Sequence, residues 1–296
     1  MTISGVTTTA ALDNSLNSMV AQARITREFD GVMTQLVDRV TLEAGTGLTW
    51  NEVTLGKLTA TAVTETTDLQ NAQQPVDTNF PITPAIVGIL MVLTDRVQRR
   101  LAKSSFQKLG GLAQNAIERK KDLDLLTILD GFSTMTGTGA GTTLTTNAIA
   151  SSRYRISSNA TEQGRPPYRA VLHGYQIKDL RDDLVSAVGT YPISDGPTAT
   201  VFKGAWKLPI ADVEVFEDGN ITIDSSDDAK GGVFAKEAIV LVQGKTPWQY
   251  NERKPNIGGG ANAVYHYDEY AAGERLAGGS TSAWGFEIYS DATAPA

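Results

Sequence analysis

His173 and His266 are the two histidines of the chain, and there is no cysteine. Thiolate nucleophiles, thiolate metal sites and disulfides are therefore excluded. His173 sits in LHGY, directly after an apolar stretch, where an imidazole could act as a general base. No G-x-S-x-G serine motif occurs, and His173 has no motif partner, so a structural role is expected. His266 lies between tyrosines in VYHYDEY and reads as a sheet-surface residue. Gly137, Gly139 and Gly141 (GTGAG) have the look of a phosphate-cradling loop. That use needs a strand before, a helix after and a later acid or a Walker-type lysine. Here a helix precedes and threonine-rich coil follows, which favours a flexible loop. Asp182–Asp183 is one acidic cluster; Asp224, Asp227 and Asp228 (DSSDD) form a second that could offer oxygen ligands to calcium. The second lacks the alternating acids, the glycine and the terminal glutamate of an EF-hand, so a solvated turn is expected. No catalytic constellation, cofactor or metal site emerges.

The cations are more suggestive. Arg96, Arg99, Arg100, Lys103 and Lys108 lie along one stretch, and Arg119 and Lys120 fall in a second (ERKKD). Nucleic-acid binding, ion pairs with neighbouring subunits and a plain solvated helix face all fit the first run. The formal net charge of -7 opposes tight tracking along nucleic acid, which wants a basic face. It does not oppose enclosing nucleic acid, because an acidic wall repels packaged phosphates and leaves them mobile.

Composition (41% hydrophobic, 20% charged) is that of a globular protein, and 296 residues suit one large or two modest domains. No signal peptide is seen. The most apolar run, Ala85 to Leu93, is far short of the roughly 20 residues that span a membrane. A soluble protein without a membrane partner, made in a cytoplasm, is expected.

Residues 1–11 are small and polar and read as a mobile arm. Ile25, Phe29, Val32, Met33, Leu36, Val37 and Val40 recur at helical spacing, interrupted at Gly31, and predict a docking helix. From Leu48 to Phe80 the pattern turns strand-like (Val53, Leu55, then LTATAVTET). Two strands joined near Asp68 to Pro75 would make a long, thinly apolar hairpin, which by itself is marginal in water. It is either an ordinary sheet hairpin or a surface for a partner. Ala85–Leu93 predicts an apolar strand with Thr94 as N-cap of a first helix, broken at Gly110–Gly111. A second helix, Leu112–Leu129, puts Leu112, Ala116, Leu123 and Leu126 on one face, with Ala113 and Ile117 beside it. Ser133–Thr146 reads as a linker. Short strands and helices then alternate: YRAVLHG, QIKDLRDDLVSAV, IADVEVFED and KEAIVLVQG. AVYHYDEY and WGFEIYS complete an α+β chain as strands with aromatics at alternate positions.

The order of these pieces resembles the tailed-bacteriophage major capsid protein family with the Hong Kong 97-like fold. ITPAIVGILMVLTDRVQRRL looks like the end of that family's extended loop, and AQNAIERKKDLDLLTILDGF like its spine helix. RAVLHGYQIKDLRDDL is similar to the opening of its axial domain, and VFAKEAIVLVQ with the aromatic tail to its return through the peripheral domain. Residues 130–170 and 190–230 match least. The resemblance implies an N-terminal arm over 1–45, an extended β-hairpin loop over 46–84 and a peripheral domain with the long spine helix over 85–145. An axial domain would span 146–232, and 233–296 would return through the peripheral domain to a C-terminal axial strand.

The function so implied is a non-enzymatic virion protein. Its hexamers and pentamers would form an icosahedral shell around double-stranded DNA, assembled in the bacterial host cytoplasm with a portal and a decoration protein as further partners. Too few residues precede the arm helix for a fused scaffolding segment, so a separate scaffolding protein is expected. Lys57 is the one lysine placed for an inter-subunit crosslink, and no crosslinking is expected. Candidate inter-subunit contacts are Lys57, Arg96, Arg99, Arg100, Lys103, Arg119 and Lys120. Two alternatives stand: a host-encoded encapsulin-type nanocompartment shell, and a hydrolase or nucleotide-binding enzyme using His173 or the glycine-rich loop.

Overall fold

The computed structural model describes residues 31–43, 45, 47–66, 72–95, 103–188, 210–257, 259–277 and 282–295. Two four-stranded sheets share one helix. The first sheet is built on a long hairpin in which β8 (Ile239–Lys254) returns as β9 (Ala261–Glu274). β4 (Ala85–Thr94) pairs antiparallel with β9 along all ten of its residues, and β1 (Asp38–Thr41) runs parallel to β8. The second sheet has the order β12 (Gly285–Asp291), β7 (Asp228–Ala235), β5 (Tyr168–Leu172), β6 (Val213–Glu217), with only the β5–β6 pair parallel. One 3-10 turn, Lys236–Ala238, leads from β7 into β8 and so joins the two sheets.

The shared helix is α2 (Lys103–Asp130), 28 residues and therefore about 42 Å long. It packs on β9 and β4 of the first sheet and on β7 and β12 of the second. Leu125 and Leu129 are fully buried in a single core cluster. That cluster takes in Met33, Leu36 and Val37 around α1 (Met33–Leu36), Ile149 and Ile156 of α3 (Thr146–Ser157), and Leu180 of α4 (Gly174–Val188). Strand residues Val171, Val233, Phe234 and Ile288 complete it.

Polar groups then orient the helix. Lys121 Nζ lies 2.6 Å from Asp268 of β9, 3.1 Å from Gln243 Oε1 and over the Tyr270 ring. The Tyr270 hydroxyl donates to Asp124 at 2.8 Å, and burial, then that carboxylate, raises its pKa. Asp183 of α4 accepts from the backbone N–H and hydroxyl of Thr146, both at 2.8 Å, which caps the N-terminus of α3.

Several expectations are corrected. The helix expected over Ile25–Val40 is helical among the described residues only at Met33–Leu36, and Asp38–Thr41 is strand; residues 25–30 lie outside the described set. Val40 suits either period, and its pairing with Val242 of β8 decides. The break at Gly110–Gly111 does not occur. Each glycine costs the helix only about 1 kcal/mol, less than burying Ala113, Ile117, Leu125, Leu126 and Leu129 returns. The buried face is rotated from the expected one: Leu123 is exposed and Leu125 buried.

Thr94 ends β4, opposite Ala261, and the next residue, Asp95, is already helical, so Thr94 stands at the expected N-cap position. The Ser133–Thr146 stretch is not a loose linker. Met135 and Leu144 are buried, Met135 N–H donates to the Glu287 carbonyl, and Gly141 N–H donates to Asp228 at 2.7 Å.

Asp268 is 1% exposed, and removing one partner of a buried ion pair costs about 3–5 kcal/mol. Lys121→Ala should therefore lower unfolding free energy in urea by about 3 kcal/mol, the low end because Gln243 also bonds Asp268. Lys120→Ala breaks only an exposed pair with Asp124 and should stay within about 0.5 kcal/mol of the parent.

Candidate assembly interface

A second hairpin, β2 (Trp50–Leu55) with β3 (Asp77–Ile82), stands on the first sheet. It is paired from Trp50↔Ile82 to Leu55↔Asp77. Its base is clamped. Ile82 is buried with Val240 and Val242, with Trp50 and Phe80 packed beside them edge to face at 6.4 Å. Arg275 donates to Glu52 at 2.6 Å, to Asp38 at 2.8 Å and to the Glu237 carbonyl at 3.1 Å. Burial would lower the Arg275 pKa, but the hydrogen bonds it donates to the Asp38 and Glu52 carboxylates outweigh that and hold the guanidinium above its ordinary value. One side chain thus ties hairpin, β1 and the inter-sheet turn together.

Beyond the base the hairpin is uncovered. Val53, Leu58 and Val63 are exposed, as are Leu55 at 69% and Val76 at 68%. The expected strand LTATAVTET is instead extended chain without ladder bonds over 56–64. Here Thr59 meets Gln73 across the loop, and Gly56 N–H reaches the Val76 carbonyl.

A second apolar surface lies on the face of the first sheet turned away from α2. Side chains alternate along a strand, so Asp268 and Tyr270 face the helix while Tyr265 and Tyr267 face outward. Cross-strand rows on that outer face are Leu90–Tyr265–Tyr250 and Gly88–Tyr267–Trp248. Tyr267 stacks between Trp248 at 5.4 Å and Tyr265 at 6.0 Å. Its ring lies over Gly88, where an added Cβ would sit 2.6 Å from the ring edge. Ile86 at 64%, Tyr250 at 59%, Leu90 and Val92 are exposed. Lys245 and Lys254 sit over Trp248 and Tyr265. The apolar run Ala85–Leu93 on the edge strand of a sheet makes a template for association unless something covers it.

Among the described residues, the charged candidates lie on separate elements, Lys57 in the hairpin and Arg119 with Lys120 on α2. Lys57 Nζ donates to the Ala160 carbonyl of its own chain at 3.3 Å, beside a cavity of about 560 Å³ lined by Glu162, Arg165 and Glu237. Arg119 and Lys120 are exposed on α2, Lys120 paired with Asp124. Arg96, Arg99 and Arg100 lie outside the described residues, as does the Lys103 side chain.

The remaining candidates for chemistry are occupied structurally. His173 Nδ1 accepts from Tyr175 N–H at 3.2 Å, and burial lowers its pKa, opposed by Glu217 and Asp218. The Asp224 carboxylate accepts from the N–H groups of Ser226 and Asp228 and from the Tyr289 hydroxyl; those backbone bonds lower its pKa. Among the described residues, no group of three His, Asp or Glu could hold a metal ion. The alternating aromatics of AVYHYDEY were the available signal for the outer face. Arg275 gave none, because its partners are 38 to 237 residues distant in sequence.

No protein-family model matches the sequence, and no curated protein matches it. Solved structures do match. A capsid structure of the cyanophage P-SCSP1u superposes with a TM-score of 0.72 at 13% identity, covering 99% of each chain. A capsid structure of Helicobacter pylori bacteriophage KHP30 gives 0.69 at 10% identity, over 98% of this chain and 100% of that one. The capsid of Ralstonia phage GP4 gives 0.65 at 12% identity, over 93% and 95%. Alike almost end to end with so few residues in common, the chain has the α+β fold of tailed-phage capsid subunits.

Proposed function

We propose that the chain is the major capsid protein of a tailed double-stranded DNA bacteriophage, self-assembling as hexamers and pentamers into an icosahedral shell around the genome. The observation that supports this best is the pair of uncovered apolar surfaces, hairpin and outer sheet face, on a fold otherwise found in phage shells. In this reading the hairpin of one copy lies on the outer sheet face of the next, and burial does the work. Fully covering a side chain such as Leu55 contributes about 1.5–3 kcal/mol, and a closed symmetric shell repeats that gain at each interface.

Residues 1–45 then act as arm, 46–84 as extended loop, 85–145 with 233–296 as peripheral domain, and 146–232 as axial domain. The second sheet with α3 and α4 falls mainly in the axial part. A separate scaffolding protein, a portal and a decoration protein complete the partners, and the virion capsid is the final location. The inner wall needs no sequence-specific grip on DNA, in keeping with the net charge of -7.

Electron microscopy of the purified chain, with its scaffold where needed, should show closed shells of uniform diameter. Monodisperse monomers under every assembly condition would sink the proposal. Val53→Asp with Leu55→Asp, and separately Ile86→Asp with Leu90→Asp, should reduce shell yield at least tenfold. Because these side chains are exposed, stability of the unassembled subunit should change by only about 0.5 kcal/mol per site. Normal shells from both double variants would remove the hairpin-on-sheet interface.

A further inference from the structure

Asp122 and Asp218 are each 1% exposed, and Asn220 donates to both carboxyls. Two carboxylates held side by side in a buried site repel, which favours a proton on one of them. Asn220 holds the pair from the far side. Its side-chain amide donates to Asp122 at 3.0 Å and its backbone N–H to Asp218 at 2.9 Å. From the near side come the first described residues of the chain: Met33 N–H donates to Asp122 at 3.0 Å and Val32 N–H reaches Asp218 at 3.4 Å. Gly31 lies flat on the Asp122 carboxyl, so close that an added Cβ would sit 2.4 Å from Cγ. The place where the N-terminal segment meets the body is thus a buried acid pair gripped by backbone amides.

We infer that this pair is a proton-operated latch, which seats residues 31–33 on the body when protonated and releases them when both acids ionise.

The electrostatic setting favours this. Burial first, then the Asp218 charge and the bond to Asp218, raise the Asp122 pKa from 3.8 to about 6, while the Asn220 and Met33 bonds lower it. On α2 the adjacent cation, Lys121, is committed to Asp268 on the other side of the helix. The β6–β7 segment presents Glu217 and Asp218 near His173, and burial disfavours charge on that imidazole. Among the described residues, 31–33 offer neutral backbone amides to the pair. With residues 31–33 lifted away, water reaches the carboxyls and the Asp122 pKa returns toward 3.8. A pKa raised in the seated state means that seating is strongest below about pH 4 and weakens as pH rises through about 6, then levels off. A difference of about two units corresponds to a change of about 100-fold in the seating equilibrium at most. The latch concerns one subunit and stands whether or not the chain builds shells.

The test is amide hydrogen exchange on the unassembled full chain from pH 4.5 to 7.5, with each rate divided by its intrinsic value. Protection of the Val32–Leu36 amides should fall by up to about 25-fold across that range, the rest of the change lying below about pH 4.5. Asp122→Asn keeps the shape and the acceptor oxygen but cannot ionise, so its protection should be high and flat. Asp218→Asn removes the second charge and should flatten the profile too, which covers the case where the first variant misfolds. His173→Gln should keep the parental slope. Gly31→Ala, which displaces the Asp122 carboxyl, should be poorly protected at every pH. A flat parental profile, a slope retained in both asparagine variants, or a slope lost in His173→Gln would overturn the latch.

Discussion

Lys121 and Asp122 are neighbours on α2, about 100° apart around its axis, and the molecule is organised around that separation. Lys121 turns to the first sheet and neutralises Asp268; Asp122 turns to the N-terminal segment and to Asp218 below the second sheet. One turn further on, Leu125 and Leu129 enter the common core. A helix seated this way has little freedom to roll, since any rotation unpairs a buried charge on one side or the other. Two sheets that pack into one core cluster on either side of the helix are thereby held at a set distance and angle.

That rigidity matters because the hairpin and the outer sheet face are apolar without being covered. A chain that exposes Leu55, Val76, Ile86 and Tyr250 invites indiscriminate association. The clamp at Arg275 and the Trp50–Phe80–Ile82 seat fix where the hairpin leaves the body. The exposed surface is therefore presented in one direction, as closure of a symmetric assembly requires. Polarity is arranged to suit: cations sit over the aromatic rows of the sheet face, and the hairpin carries Glu52, Glu65 and Asp77.

Much of the architecture was legible because it rests on local period and end signals. The strands at 168–172, 213–217 and 285–291 and the helix at 174–188 stand where alternation and helical spacing put them. Where the reading failed, a long-range partner had the deciding vote. Val40 fits a helix until β8 offers it a ladder partner in Val242. Gly110–Gly111 would end an isolated helix but not one anchored along most of its length. Ser133–Thr146 has linker composition, yet Met135, Gly141 and Leu144 are held by strands roughly 90 to 150 positions later. The uncovered surfaces among the described residues are apolar, and charge gave no signal for them.

By itself the sequence determined the chemistry that is unavailable, the α+β class, the order of the elements and the presence of a thinly apolar hairpin with too little of its own to pack on. Each follows from residue type or from spacing within about twenty positions. Only the tertiary structure decided which apolar strand face is left open, which arginine anchors the hairpin and which two aspartates are buried side by side. Those outcomes depend on pairings such as Asp122 with Asp218 and Arg275 with Asp38, and separation along the chain carries no record of them. Desolvation and hydrogen bonding assign such pairs only once the sheets have closed around α2.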